Sequence, residues 1–308
     1  MKKIQNVIEY VLAQLFAFPI RLLPHRVALG MGAGLGYFAY YLVPIRKQVA
    51  LRNIAAAFPE KPSQEVRRIG RRTYCNFGQN IVEFIRIPKM DEAFYARHIQ
   101  VNGGERLEAA GRGGRGAVCV SGHFGNWELF PAVIHRMGFP MVGLARDQRN
   151  PFVNKMINQN RVSWGAELAR LGMGVRSVFR ALAANKFITI LADQDAHTEG
   201  VFVDFLGRPS STAAGPALFA LKTGAPLIFG VVVRGDKGNH SVILEEIDHS
   251  DLEGVTPENI RILTQRHASA LETYIRRYPD HWLWMHKRWK TPPPSTLARE
   301  DSPPGVQN

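Results

Sequence analysis

The chain has 308 residues, of which 45% are hydrophobic and 21% are charged, so it can bury a large core and is not disordered throughout. Its formal net charge of +13 and pI near 10.0 predict a polyanionic partner: a nucleic acid, an anionic membrane surface or a phosphorylated substrate. Two cysteines, Cys75 and Cys119, are too few for a disulfide framework and favour a reducing, cytoplasm-facing location.

Residues 1–25 contain an apolar segment that follows two lysines and carries only Glu9 and Arg21 as charges. No small-residue cleavage site follows it, which argues against a secretory signal peptide. We expect a membrane anchor, either one short span or a helix lying in the interface, with a buried helix of a soluble protein as the alternative. A second charge-free run, residues 27–43, is rich in glycine and fits either membrane embedding or tight helix packing.

A helix is predicted behind Ser63, a plausible N-cap residue. Its four arginines fall at i and i+4 and form one basic stripe: Arg67, Arg68, Arg71 and Arg72. Such a stripe is either an ordinary solvated helix face or a contact with an anionic leaflet, and the sequence leaves both interpretations open.

From residue 103 onward, short apolar runs alternate with amphipathic segments. The predicted strands are residues 117–121, 141–145, 187–192, 226–233 and an edge-like 241–247; the predicted helices are 126–137, 151–164, 175–186, 213–224 and 257–278. This alternation predicts an α/β fold with a mixed, largely parallel central sheet flanked by helices. We place the main domain at residues 26–290 and a proline-rich, disordered tail at 291–308.

The glycine-rich stretch GRGGRG, residues 111–116, matches the letters of a dinucleotide-binding fingerprint. That motif must follow a strand and open a helix, whereas this copy precedes a strand. A single copy is also weak evidence for RNA binding. We interpret it as a turn.

The segment ADQDAH ends a predicted strand with Asp193, Asp195 and His197. Alternating carboxylates and a histidine are possible ligands of a divalent ion, which would make the protein a metallohydrolase. The C-terminal ends of strands in an α/β sheet are also where active-site clefts form. We favour a polar lining of such a cleft.

The segment HWLWMHKRWK, residues 281–290, combines three tryptophans with two histidines and three cations. This composition is typical of a membrane-interface belt or an anionic head-group site, and stacking on nucleic-acid bases would use similar residues. Core packing of the tryptophans is the alternative.

The segment SGHFGNWELF, residues 121–130, places His123 between a strand and a predicted helix that is capped by Asn126. If both were helical, His123 and Glu128 would lie about 140° apart, so they can meet only if His123 lies in the turn. Glu128 could then accept from one imidazole nitrogen and raise the basicity of the other. Neither Ser121 nor Cys119 lies in a nucleophile elbow, so a histidine base acting on an external hydroxyl is favoured over an acyl-enzyme.

HFGNWE is an instance of the H-x-x-x-x-[D/E] signature of the glycerolipid-type acyltransferases. The wider pattern resembles the bacterial lipid A biosynthesis late acyltransferases, the lauroyl/myristoyl acyltransferases, over nearly the whole chain except the tail. The segments that carry this resemblance are LRNIAAAFPE, SGHFGNWEL, RNPFVNKMINQNRVSWG, LADQDA, VFVDFLGRPSSTAAGPALFALKTGAPL and YPDHWLWMHKRWK.

The resemblance implies an enzyme on the cytoplasmic face of the bacterial inner membrane. It would transfer a fatty acyl group from acyl carrier protein to a hydroxyl of a Kdo-lipid A precursor, without a cofactor, a metal or a nucleic-acid partner. His123 would be the general base and Glu128 its orienting partner. The residues predicted to bind substrate are Asn126, Asn150, Arg161, Asp193, Asp195, His286 and Arg288.

Two other functions remain as alternatives. One is an acyltransferase of the same family that acts on another glycolipid or polar lipid. The other is a basic protein without enzymatic activity that binds membranes or nucleic acid.

Overall fold

The computed structural model describes residues 2–43, 46–145, 147–165, 167–170 and 175–294. The helices within these ranges are α1 (Lys2–Leu22), α2 (His25–Leu42), α3 (Lys47–Ala57), α4 (Ser63–Arg86), α5 (Glu92–His98), α6 (Gly104–Arg112), α7 (Leu129–Arg136), α8 (Pro151–Val162), α9 (Val175–Ala183), α10 (Gly215–Thr223) and α11 (Pro257–Arg277). The strands are β1 (Ile99–Asn102), β2 (Ala117–Ser121), β3 (Met141–Ala145), β4 (Glu167–Arg170), β5 (Phe187–Leu191), β6 (Val201–Asp204), β7 (Pro209–Thr212), β8 (Leu227–Arg234) and β9 (His240–Glu246).

Seven of these strands form one sheet in the order β1-β9-β8-β2-β5-β3-β4. The pairs are parallel except β8 with β9, which are antiparallel. The predicted mixed, largely parallel α/β sheet is therefore confirmed. The prediction that residues 241–247 form an edge strand is wrong, because the four-residue strand β1 pairs with the outer side of β9. That strand was too short and too polar to be recognised in the sequence.

The core lies on both faces of the sheet. Successive residues of β2 point to opposite faces: Val118 and Val120 belong to one apolar cluster, and Ala117 and Cys119 belong to the other. Helices cover both faces, which explains why the central strands are apolar along their whole length. The glycine-rich stretch before β2 lies at the end of α6 and in the following turn, as predicted.

The glycine-rich run of α2 packs closely against α4. A Cβ atom at Gly36 would overlap the carbonyl of Tyr74, and one at Gly78 would overlap the carbonyl of Gly32. Of the two interpretations of this run, the structure therefore shows tight helix packing. Small residues here let the two backbones approach each other closely.

The N-terminal helix α1 buries one face against α4, where Ala17 and Ile20 meet Val82 and Ile85. In the described part of the chain, no single helix has the length and apolar character needed to cross a membrane; α2 and α3 meet such a criterion only together, as a pair bent by 96°. A membrane-spanning anchor in residues 1–25 is thus not supported. Residues 295–308, most of the predicted disordered tail, lie outside the described ranges.

Candidate active site

The turn between β2 and α7 carries His123. Gly125 in this turn has a φ of +53°, and a Cβ atom there would overlap the carbonyl of Val232, so both its conformation and its surroundings require glycine. The predicted helix start at Asn126 is wrong by three residues, because α7 begins at Leu129. We call residues 122–128 the catalytic turn.

His123 is held by Asp193, which follows β5. His123 Nδ1 lies 2.7 Å from Asp193 Oδ1, and the backbone N–H of His123 donates to Asp193 Oδ2 at 2.8 Å. The indole N–H of Trp282 donates to the same Oδ2, also at 2.8 Å. The pairing has a simple origin: β2 and β5 are parallel neighbours with Ser121 opposite Leu191, so residues two positions further along also meet.

The charges of the pair reinforce each other. Burial alone would raise the pKa of Asp193, but the charge of His123 and the hydrogen bonds from His123 and Trp282 outweigh it and lower the pKa to about 2. Burial opposes protonation of His123, yet Asp193 raises its pKa above the ordinary value, with a smaller contribution from Glu128. An ionised Asp193 can only accept, so the neutral imidazole carries its proton on Nδ1 and leaves Nε2 as the basic nitrogen.

The basic nitrogen faces the side chain of Gln194. Gln194 Nε2 lies 3.4 Å from His123 Nε2, which suits an amide donor and an imidazole acceptor. A substrate hydroxyl that took this place would therefore meet the base and an amide group together. No sequence signal marks Gln194 beyond its position between two aspartates.

Glu128 does not orient His123 as predicted. It forms a bidentate ion pair with Arg161 of α8, with Oε1 2.6 Å from Nη2 and Oε2 3.0 Å from Nε. Glu128 ends the catalytic turn, and Nδ1 of His123 is bound to Asp193 instead. The orienting carboxylate is thus Asp193, which we had predicted as a substrate-binding residue.

An apolar cavity of about 360 Å³ opens beside the catalytic turn. Its walls come from α1, α4, α8 and the turn, and include Phe16, Phe77, Phe84, Met156 and Ile157. Trp127 lies at its edge, with its ring 5.2 Å from the imidazole of His123. The charged side chains that line the cavity are those of Glu128, Arg161 and Arg21. The volume falls in the range of about 300–1,000 Å³ that is typical of ligand pockets.

The two asparagines predicted to bind substrate make structural contacts within the protein. Asn126 is fully buried and donates to Glu83 Oε2 at 2.5 Å. Asn150 caps α8, where it accepts from the backbone N–H of Phe152, and it donates to Glu9 of α1 at 2.8 Å. These contacts explain both residues without a substrate.

Three further predicted binding residues have contacts around the loop that follows β5. Arg288 is 1% exposed and donates to the carbonyl of Ser211, so it holds β7 and is not available to a head group. His286 Nε2 accepts from the backbone N–H of Asp195 at 3.1 Å. Asp195 accepts from Thr291 at 2.9 Å. Together these contacts fix the loop that follows β5.

Asp193, Asp195 and His197 do not converge on one point, since Asp193 faces His123 whereas Asp195 Oδ2 lies 3.1 Å from His197 Nδ1. In the ranges that the structure describes, no group of three or more histidine, cysteine or acidic side chains is arranged to hold a metal ion.

The tryptophan-rich segment packs in the core and does not form an interface belt. Trp282 and Trp284 are fully buried and meet edge to face. The segment also pairs with the catalytic turn: Phe124 forms a β-bridge with Trp282, and the N–H of Leu283 donates to the carbonyl of His123 at 3.0 Å. Trp282 is thus a site residue that sequence reasoning missed, because the composition of residues 281–290 suggested an exposed surface.

A histidine–carboxylate pair beside an apolar cavity on an α/β sheet suits an enzyme that acts on a lipid or another apolar substrate. Residues 2–291 match the family model described as bacterial lipid A biosynthesis acyltransferase. The chain belongs to this family and is an acyltransferase, which confirms the resemblance seen in the sequence.

Named relatives divide between two kinds of glycolipid. The phosphatidylinositol mannoside acyltransferase of Mycolicibacterium smegmatis is 28% identical over 276 residues, covering 88% of each chain. The lipid A biosynthesis lauroyltransferase of Escherichia coli K12 is 25% identical over 289 residues, covering 90% of each chain. The lipid A biosynthesis palmitoleoyltransferase of Escherichia coli K12 is 24% identical over 283 residues, covering 88% of this chain and 87% of its own.

Proposed function

We propose that the protein transfers a fatty acyl group from acyl carrier protein to a hydroxyl of an acidic glycolipid, with a lipid A precursor as the acceptor. The observation that carries the proposal is the His123–Asp193 pair beside Trp127, a residue of the cavity wall whose ring lies 5.2 Å from the imidazole. Such a site brings a base, a hydroxyl and an acyl chain together without a cofactor.

The reaction is direct. His123 Nε2 takes the proton of the acceptor hydroxyl as its oxygen attacks the thioester carbonyl. The tetrahedral oxyanion collapses, the C–S bond breaks, and the thiolate takes the proton from the imidazolium. Asp193 stabilises that imidazolium, as its charge and hydrogen bond to Nδ1 require. The guanidinium of Arg161 and the amide of Gln194 are the donors available to the oxyanion.

No enzyme nucleophile is needed in this scheme. Ser121 is buried, and its hydroxyl donates to the carbonyl of Gly230 at 2.6 Å. Cys119 is fully buried, and burial raises the pKa of its thiol. A buried, protonated thiol is a poor nucleophile. The ternary complex therefore remains the simpler route.

The cavity is the place for the acyl chain. Its lining is predominantly apolar, and the ion pair of Glu128 and Arg161 lies on the same wall as Trp127, next to His123. A chain in the cavity would place its thioester carbonyl near that ion pair and the base. Bidentate pairing with Glu128 holds the guanidinium in one orientation.

A mannosylated phosphatidylinositol is a second candidate acceptor. It is favoured by the relative from Mycolicibacterium smegmatis, whose name gives that class of lipid and which matches along nearly the whole chain. Both acceptors are anionic glycolipids with free hydroxyls, and both suit a protein with a net charge of +13.

The proposed location is the cytoplasmic face of the inner membrane, with α1 lying in the interface. Apolar residues are exposed on α1 at spacings of three and four, which places them along one stripe: Ile4, Ile8, Leu12, Leu15, Phe18 and Leu22. On α2, Phe38 and Leu42 are exposed too. An amphipathic helix of this kind buries its apolar face among lipid head groups and acyl chains.

The test is an assay with purified protein, a radiolabelled acyl carrier protein thioester and either glycolipid in mixed micelles. Mass spectrometry should show one acyl chain added to the lipid A precursor and one thiol released per ester formed. A product only with the mannosylated lipid would support the second acceptor. Hydrolysis of the thioester without a lipid product, or no turnover, would contradict the proposal.

A further inference from the structure

A buried carboxylate lies directly behind the catalytic turn. Glu83 of α4 is 0% exposed. Its Oε1 lies 2.6 Å from Arg234 Nη1 and 2.8 Å from His240 Nε2, and its Oε2 accepts from Asn126 Nδ2 at 2.5 Å. One helix (α4), two strands (β8 and β9) and the turn that carries His123 thus send polar groups to one point of the interior.

A second residue of α4 holds the neighbouring position of the turn. The side-chain amide of Asn80 donates to the carbonyl of Gly125 and accepts from Arg234 Nη2. Asn80 and Glu83 lie three residues apart, so they share one face of α4. The same helix therefore binds the backbone carbonyl of Gly125 and the side chain of Asn126.

Stability alone does not explain this network. Removing two charges from water costs several kcal/mol per ion, and a buried ion pair of this kind is often no more stable than apolar residues of the same volume. The network also fixes the position of the turn, because each of its bonds joins a defined atom of α4 to a defined atom of the turn. Position is the property that a general base requires.

The remaining contacts of the turn come from other elements. The backbone N–H of Asn126 donates to Val232 of β8 at 3.2 Å, and that of Gly125 donates to the carbonyl of His281 at 2.9 Å. These bonds fix the turn against the sheet. Its position relative to the cavity is fixed by α4, which also contributes Phe77, Ile81 and Phe84 to the cavity wall.

We propose that Glu83, with Asn80, is a positioning residue of the acyltransferase reaction: it holds the catalytic turn so that His123 stays beside Trp127 at the cavity wall. The inference rests on the proposed function. Because α4 lines the cavity and also holds the turn, one rigid helix sets the distance between the acyl chain and the base. Neither residue touches the substrate's reacting atoms in this scheme.

The test removes the hydrogen bond between the turn and Glu83 without leaving a buried charge unpaired. Asn126→Ala removes the bond from the turn to Glu83, which keeps Arg234 and His240. We expect kcat to fall by about 10- to 100-fold with the KM for the acyl donor unchanged, because a shift of the base by about 1 Å is enough to cost that much. Asn80→Ala, which releases Gly125, should also lower kcat and serves if the first variant does not fold; because Asn80 also lines the cavity, kcat alone is compared for this variant.

Glu272→Gln is the matched control. It weakens an ion pair with Arg276 and an acceptor for the backbone N–H of Leu206, and neither of these partners belongs to the turn. We expect a lower Tm and an unchanged kcat. A normal kcat in both Asn126→Ala and Asn80→Ala, or an equal fall of kcat in the control, would overturn the positioning role. Absence of turnover in the unaltered protein would instead overturn the proposed function.

Discussion

His123 is oriented by a carboxylate that is distant in the sequence, and not by the glutamate of its own turn. Glu128 is five residues from His123, and a turn can bring two such side chains together. In the structure Glu128 is bound by Arg161. Asp193 lies 70 positions away in sequence, yet it reaches Nδ1 of His123 at 2.7 Å. The parallel register of β2 and β5 decides this pairing.

Asp193→Asn should lower kcat by about 10²- to 10⁴-fold, in the range usual for general acid–base catalysis. An amide can donate to Nδ1, which moves the imidazole proton to Nε2 and removes the base. The rate needs neutral His123, and Asp193 raises its pKa, so the acidic limb of the wild-type pH profile should lie above pH 6.5. Without the carboxylate this pKa falls, so the limb should move to lower pH. Steady-state rates from pH 5 to 9 measure both effects.

Asp251→Asn is the control for that measurement, since Asp251 is paired with Arg266 on the surface. It should leave both the rate and the pH profile unchanged. A wild-type acidic limb below the ordinary histidine range, or a normal rate in Asp193→Asn, would contradict the role assigned to Asp193.

At the scale of elements, α1, α4 and α8 act together as the walls of the cavity. Asn160 of α8 donates to the carbonyl of Phe84 at 2.6 Å, and Arg86 of α4 donates to the carbonyl of Ile20 at 2.7 Å. These bonds join the three helices to one another near the cavity. The depth of the cavity is therefore a fixed property of the fold, and it should limit the length of the acyl chain.

Ala13→Phe should shift the preference for acyl donors toward shorter chains. Ala13 lines the cavity from α1, and a phenyl ring there would occupy space that the end of a longer chain requires. Each methylene excluded from an apolar pocket is worth about 1–3 kcal/mol, so kcat/KM for the longest accepted chain should fall by about 10-fold or more. A series of acyl carrier protein thioesters of increasing chain length measures the effect.

Ala93→Phe on α5 is the control for the chain-length series, because Ala93 is exposed and is not part of the cavity wall. It should leave the order of preference unchanged. An unaltered order in Ala13→Phe as well would mean that the acyl chain binds elsewhere.

For the molecule as a whole, the net charge of +13 and the apolar stripe of α1 predict binding to anionic membranes. Leu12→Glu/Leu15→Glu should weaken binding to vesicles that contain anionic lipid by about 10-fold or more, because each buried leucine contributes about 1.5–3 kcal/mol. Sedimentation with vesicles measures this. Binding should also weaken as the salt concentration rises, because salt screens the charges.

A double variant elsewhere on the surface controls for the added charge. Val175→Glu/Val255→Glu replaces two exposed valines, one on α9 and one before α11. It should bind vesicles nearly as well as the unaltered protein. Equal loss in both double variants would show that net charge alone governs binding, and equal retention would contradict the role of the α1 stripe.

The amino-acid sequence by itself determined the class of fold, the position of His123 in a turn after a strand, and the family. Apolar runs and helical periodicity are local signals, and the matching segments span most of the chain, so these conclusions need no tertiary contacts. The burial of both faces of β2 also follows from its continuous run of apolar residues.

Only the tertiary structure decided which groups surround His123. Asp193 and Gln194 reach it from the segment after β5, Trp282 donates to Asp193 from the C-terminal segment, and Glu83 reaches the turn from α4. The burial of Trp282 and Arg288 likewise reversed the expectation of a head-group site. These contacts depend on strand order and helix packing, which arise from interactions between residues far apart in the chain, so no local pattern encodes them.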